Sequence, residues 1–197
     1  MSRSRAKDFK QATKISARTL DPVFHLILDL SAHKPAPGVP TRLRELFGEL
    51  AEVASAEAAQ EVEELIWTLW TSHEDRDAEE IMAEAIEGME VGALDAARIL
   101  LDDLTERYPE WAEAWNRRAT LCFIEKRDVD CLADIERTLA LEPRHFGAIS
   151  DFGHVCLRNG HLNEARAAFQ IALSIHPHLD DLSEILEDLA PRNLMLH

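Results

Sequence analysis

Glycine, aromatic residues and cysteine are all scarce in this chain of 197 residues: seven glycines, 6% Phe, Trp and Tyr, and three cysteines. Sheets with tight turns draw on the first two, whereas Leu, Ala and Glu, which dominate here, favour helix, so the expected class is all-α. Cys122, Cys131 and Cys156 are an odd set, which argues against a disulfide framework and predicts a reducing, cytoplasmic setting. Long apolar runs are missing too. The best stretch, VFHLILDL, is short and contains His25 and Asp29, and the basic start MSRSRAKDFKQATKISARTL has no apolar core of a secretory signal. A glycine-rich phosphate loop, a G-x-S-x-G elbow and an H-E-x-x-H pair are absent as well. Common nucleotide, hydrolase and zinc chemistries thus lack their anchors, and the expectation is no enzyme, no cofactor and no metal.

What is abundant is negative charge. The formal net charge of −16 repels a phosphate backbone and speaks against nucleic acid as a partner. Cations gather at the start: residues 1–44 hold Arg3, Arg5, Lys7, Lys10, Lys14, Arg18, Lys34, Arg42 and Arg44 against Asp8, Asp21 and Asp29. A basic segment is therefore tethered to a strongly acidic body.

Three prolines, Pro109, Pro143 and Pro177, recur every 34 residues, and other positions keep their register. Small residues stand at Ala97, Cys131 and Ala165 and again at Ala85, Ala119 and Gly153. Large apolar ones stand at Leu101, Ile135 and Phe169 and at Ile81, Trp115 and Ile149. This period with its closing proline resembles the tetratricopeptide repeat over residues 78–177. The resemblance implies an α-solenoid of antiparallel helix pairs with units 78–111, 112–145 and 146–177. Small residues would sit at close helix crossings, while Phe169 and Trp115 fill the wedge between units.

Gly92 and Gly160 mark the turn inside a unit, where a left-handed residue ends the first helix. The middle unit has Lys126 there, and Asp128 where the others have Leu94 and Leu162, which predicts a locally altered turn. Residues 41–77 keep the register poorly, with Glu63 in a small-residue place and Asp75 for the proline, so a degenerate hairpin is expected there, stacked first in the row and sealed by Trp67 and Trp70. Thr41 and Ser55 are its candidate caps, and Asp77 with Glu80 suggests a capping box opening the first clear repeat. After Pro177, residues 178–197 carry Leu179, Leu182, Ile185, Leu186 and Leu189 on one stripe, as a terminal capping helix requires. Residues 1–40 read as a basic segment with one helix, Asp21 as its N-cap and Pro22 its first residue, followed by the stiff linker KPAPGVP.

His154, His161, His176 and His178 crowd the third unit near Cys156, but His154 and Cys156 lie two apart on a helix and diverge, so these are read as loop and surface histidines. The cysteines are read as small interior residues, and the acidic pairs as a solvated face. In tetratricopeptide proteins the first helix of each unit lines a concave groove. By that resemblance the binding residues would be Met82, Ile86, Met89, Asn116, Thr120, Phe123, Ser150, His154 and Leu157. Members that clamp a C-terminal carboxylate use Lys, Arg and Asn in the groove, and Met82 and Ile86 do not suit that mode. An apolar groove with methionines fits a helical or extended apolar segment of another protein. The expected function is a non-enzymatic interaction scaffold. Two other uses of the basic N-terminal segment stay open: docking into the chain's own groove, through Phe24, Leu26, Ile27, Leu28 and Leu30, or anchoring the scaffold to an anionic membrane surface.

Overall fold

The computed structural model describes residues 15–189, among which every regular element is helical. In chain order these are α1 (Ala17–Leu28), a 3-10 turn (Leu30–Ala32), α2 (Arg42–Glu52), α3 (Ala56–Thr71), α4 (Arg76–Glu90), α5 (Leu94–Arg107), α6 (Ala112–Ile124), α7 (Asp128–Leu141), α8 (Phe146–Asn159), α9 (Leu162–Ile175) and α10 (Asp180–Asp188). Three helix pairs, α4–α5, α6–α7 and α8–α9, stack in sequence into an α-solenoid.

The small residues are where the helices close on one another. Ala97, Cys131 and Ala165 are each 0% exposed. A side chain on Gly153 would overlap the ring of Phe169, so the smallness of one helix makes room for the bulk of the next. Trp115 differs from its expected place in the wedge. It is only half-buried, its Nε1 donates to the Pro109 carbonyl at 3.0 Å, and Arg118 lies over its ring at 4.8 Å.

The middle turn is not altered. Lys126 takes φ 60°, beside 78° for Gly92 and 86° for Gly160. The closing hydrogen bond is conserved in geometry across the three units: Ala93 N to Gly88 O at 2.7 Å, Arg127 N to Cys122 O at 2.8 Å and His161 N to Cys156 O at 2.9 Å. Packing on either side holds a lysine in a conformation that costs about 1 kcal/mol for a residue with a Cβ.

Helix starts depart from expectation in three places. Ser16, not Asp21, precedes α1, and Pro22 lies inside the helix. Thr41 has helical backbone and its side chain makes no capping bond, whereas Ser55 does cap α3, accepting from Ala58 N. Asp75 caps α4 by accepting from Asp77 N at 3.0 Å, and Glu79 rather than Glu80 reaches back, to His73 N at 2.8 Å.

The outer face of α4 explains where the α2–α3 hairpin goes. Where α6 has Ala114 and Leu121, and α8 has Ala148 and Val155, all buried, α4 has exposed Glu80 and Glu87. Glu84 is likewise exposed, one and two repeats before Arg118 and Phe152. Carboxylates cannot be buried unpaired, so this face ends the stack as a polar terminal cap. The hairpin, expected as a first unit, instead lies across the loops that join one unit to the next. Its Trp67 and Trp70 seal those corners: Trp70 stacks on His145 with centroids 4.0 Å apart, Trp67 meets Phe146 edge-on at 5.5 Å, and Trp111 Nε1 donates to Trp70 O at 2.8 Å. Glu63, out of place as a repeat residue, accepts from Trp67 Nε1 at 3.0 Å and bonds His176 Nε2 at 3.0 Å.

At the other end α10 buries Leu182 and half-buries Leu179, Ile185, Leu186 and Leu189 against α9, as a capping helix should. α1 packs on the second helices α7 and α9, burying Leu20, Val23 and Ile27 while Leu30 of the following turn is buried beside them. Each such side chain contributes about 2 kcal/mol of apolar burial.

Candidate functional site

The first helices α4, α6 and α8 present one face in common, and the hairpin divides it. Over the N-terminal halves of α6 and α8, Trp67 approaches so closely that a Cβ on Gly147 would fall 2.9 Å from its ring, and Arg117 lies over the same ring at 5.2 Å. Beneath it Glu113, fully buried, bonds His145 Nε2 at 2.9 Å, Asn116 Nδ2 at 3.2 Å and Arg117 Nε at 2.5 Å. Ala148 N donates to His145 Nδ1 at 3.2 Å, so the imidazole carries its proton on Nε2 and gives it to Glu113.

Two residues of the expected groove are buried. Asn116 is 3% exposed and bound to Glu113, and Met82 is 1% exposed within the seam that α4 shares with Trp111, Ala114 and Leu121. Ile86, Met89, Thr120, Phe123, Ser150, His154 and Leu157 are part-exposed. Ile86, Met89, Thr120, Phe123, His154 and Leu157 lie in the C-terminal halves of the three helices, beyond the hairpin, whereas Ser150 lies before the middle of α8.

Phe123 is the centre of that patch. The Arg158 guanidinium sits 3.9 Å above its ring and donates to its carbonyl at 2.9 Å, and the His154 ring lies 6.3 Å away. Arg158 also pairs with Asp128. Such an arginine leaves one aromatic face committed and holds the ring still. Behind it the Thr120 hydroxyl donates to Asp151 at 3.0 Å; burial nonetheless pushes the Asp151 carboxyl up to about 6. Burial lowers the His154 pKa. The wall is therefore mostly apolar, with one fixed cation.

Among the described residues, no group of three or more His, Cys, Asp or Glu is arranged to hold a metal. Burial raises all three thiols, that of Cys156 to about 12, as suits small interior residues. No helix is long and apolar enough to cross a membrane among those residues.

An α-solenoid of three helix pairs with a shared, part-apolar face on the first helices defines a class of repeat protein. The comparisons place the chain within it. A tetratricopeptide-repeat-containing protein of Rhizobium etli is 32% identical over 136 residues, spanning 69% of this chain and 67% of that protein. The first tetratricopeptide domain of Spaghetti (RPAP3), solved with the HSP90 peptide SRMEEVD, is similar in fold, with a TM-score of 0.54 at 19% identity over 57% of this chain and 89% of that one. No family model matches. The chain belongs to the tetratricopeptide-repeat family.

Sequence reasoning missed the corner cluster. His145 and His176, the latter expected at the surface, are 0% and 1% exposed. The Glu63 carboxyl is held below the usual range, chiefly by its hydrogen bond from His176. Three acids outside the adjacent pairs, Glu113, Asp134 and Glu142, are buried, each with an arginine partner. A signal was present: Glu113, Arg117 and Asn116 lie one helical turn apart, yet nothing local marks His145 as their partner.

Proposed function

We propose that this protein is a non-enzymatic scaffold that binds an apolar helical or extended segment of another protein on the C-terminal halves of α4, α6 and α8. The observation that carries the reading is the part-exposed run from Ile86 and Met89 through Phe123 to His154 and Leu157, with Arg158 fixing the central ring. Methionine and leucine adapt to irregular apolar partners, and a stationary aromatic gives them an anchor. In the Spaghetti structure a peptide occupies a tetratricopeptide domain of this fold, which supports a peptide as ligand in kind. The acidic tail of that peptide is a poor match here, since Ile86 and Met89 supply no cation and Arg158 is already paired with Asp128. Paired pull-downs test the reading: a partner captured by the intact chain should be lost with Phe123→Ala plus Leu157→Ala, while a partner retained equally by both would refute it.

The anchoring of the scaffold to a membrane by its basic start is less well supported. α1 turns its apolar residues toward α7 and α9, leaving Leu28 as the large one outward at 54% exposure. Residues 1–14, with Lys7, Lys10, Lys14 and Phe9, lie outside the described residues. The same burial directs α1 away from the inner face, so that the chain's own N-terminal helix and the partner occupy different surfaces. A cytoplasmic setting follows from cysteine usage and is part of this proposal.

A further inference from the structure

A second recess lies apart from the inner face. Where the end of α3 faces the α5–α6 corner, a cleft of about 790 Å³ opens between Trp70, His73, Tyr108 and Trp111. His73 stands 4.6 Å from Tyr108 and 4.8 Å from Trp111, centroid to centroid, so three rings wall one end. Pro40 and Pro109 add two walls with no N–H to offer. Trp70, 4% exposed, forms the floor of the cleft, and its Nε1 is buried without an acceptor in the fold.

The next corner shows what such a place accepts. One repeat later, the proline-rich stretch of residues 34–40, KPAPGVP, crosses the α7–α8 corner, and Ala36 N–H donates to the Leu141 carbonyl at 2.7 Å. The residue 34 positions before Leu141 is Arg107, which lines the cleft. Val39 and Pro40 carry the linker on to the rim of the same cleft, so the open corner continues a surface already fitted to extended, proline-bearing chain. At the mouth stand exposed Glu74 and Glu110, the latter paired with Arg137, while the Arg107 guanidinium is paired with Asp103.

We infer that this cleft is a docking site for an extended, proline-rich, basic segment of another protein. An extended proline-rich chain needs no internal hydrogen bonds and packs its rings on aromatic walls such as those of His73, Tyr108 and Trp111. The acidic surplus of the body selects cationic flanks. The site is independent of the inner face, and either can fail without the other.

The test follows indole N–H resonances in the full-length, nitrogen-15-labelled chain. The probe is the capped peptide Lys-Pro-Ala-Pro-Gly-Val-Pro, with a version carrying Glu for Lys as control. Expected is a saturable shift of the indoles of Trp70 and Trp111, which line the cleft, weaker with the Glu peptide. Glu74→Lys, at an exposed position, should weaken binding about threefold, and Tyr108→Ala about tenfold. Phe123→Ala should leave it unchanged. No Trp70 shift up to about 5 mM peptide, or a shift as large with the Glu peptide, overturns the inference. Glu74→Lys decides the charge requirement should Tyr108→Ala fail to fold by circular dichroism.

Discussion

Between α5 and α7, Arg118 reaches from α6 to Asp134 with two bonds of 2.7 and 2.9 Å and touches Thr105 at 2.7 Å and Asp102 at 3.1 Å, while Arg98 pairs with Glu125. Thirty-four residues on, between α7 and α9, the same places hold Phe152 for Arg118, Ala168 for Asp134, Leu139 for Thr105 and Leu132 for Arg98. There α1 lies in the groove, Phe24 stacked on Phe152 with centroids 6.2 Å apart and planes 6° from parallel. One fold position thus closes itself with ions or takes in a helix, according to a handful of side chains. The solenoid supplies equivalent grooves, and sequence alone decides which is occupied.

The largest effect should come from breaking the occupied groove. Phe152→Arg puts an unpaired charge under α1 and should cost about 4 kcal/mol or more, read by urea unfolding. In the ionic groove Asp134→Ala takes the main partner from Arg118, which keeps Asp102 and Thr105, and should cost about 2 kcal/mol, whereas Arg118→Phe with Asp134→Ala, which copies the next repeat, should stay within about 1 kcal/mol of the parent. A cost of the double change equal to that of the single would show that the ion network stabilises the fold beyond satisfying its own charges.

Register-related charge differences also reach the inner face, where Asp151 stands one repeat after Arg117. The folded state raises the Asp151 carboxyl to about 6. The folded chain therefore holds that proton more tightly than the unfolded one, and stability falls as pH rises from the ordinary carboxylate range to about 6. Asp151→Asn should gain about 2 kcal/mol at pH 8 and nothing at pH 4, in paired denaturation curves. The smallest change sharpens the turn comparison: Lys126→Gly removes a strained Cβ from the middle unit and should gain about 1 kcal/mol. The equivalent glycines offer no such gain.

Much of the stack was legible because it is written in a repeating register: Ala97, Cys131 and Ala165 at 0% exposure follow directly from the 34-residue period. The family resemblance added the first-helix face, and seven of its nine expected residues are part-exposed there. What escaped was non-local. The position of the hairpin depends on Glu63 meeting His176, 113 residues away, and Trp70 meeting Trp111. The place of α1 depends on Ile15 N–H donating to Asn159 Oδ1 at 3.0 Å, 144 residues away, as well as on its apolar face. An amphipathic helix announces that it will be covered without saying by what. Yet Phe152 against Arg118, and Glu80 with Glu87 against Ala114 with Leu121, were visible along the register and would have pointed to both outcomes.

Hydrogen exchange of residues 17–28, in the parent and in Phe152→Arg, tests most directly whether register chemistry directs α1 to its groove. The account predicts slow exchange in the parent, fast exchange of α1 in the variant, and α4–α5 unchanged. Fast exchange of α1 already in the parent, or equal protection in both, would contradict it.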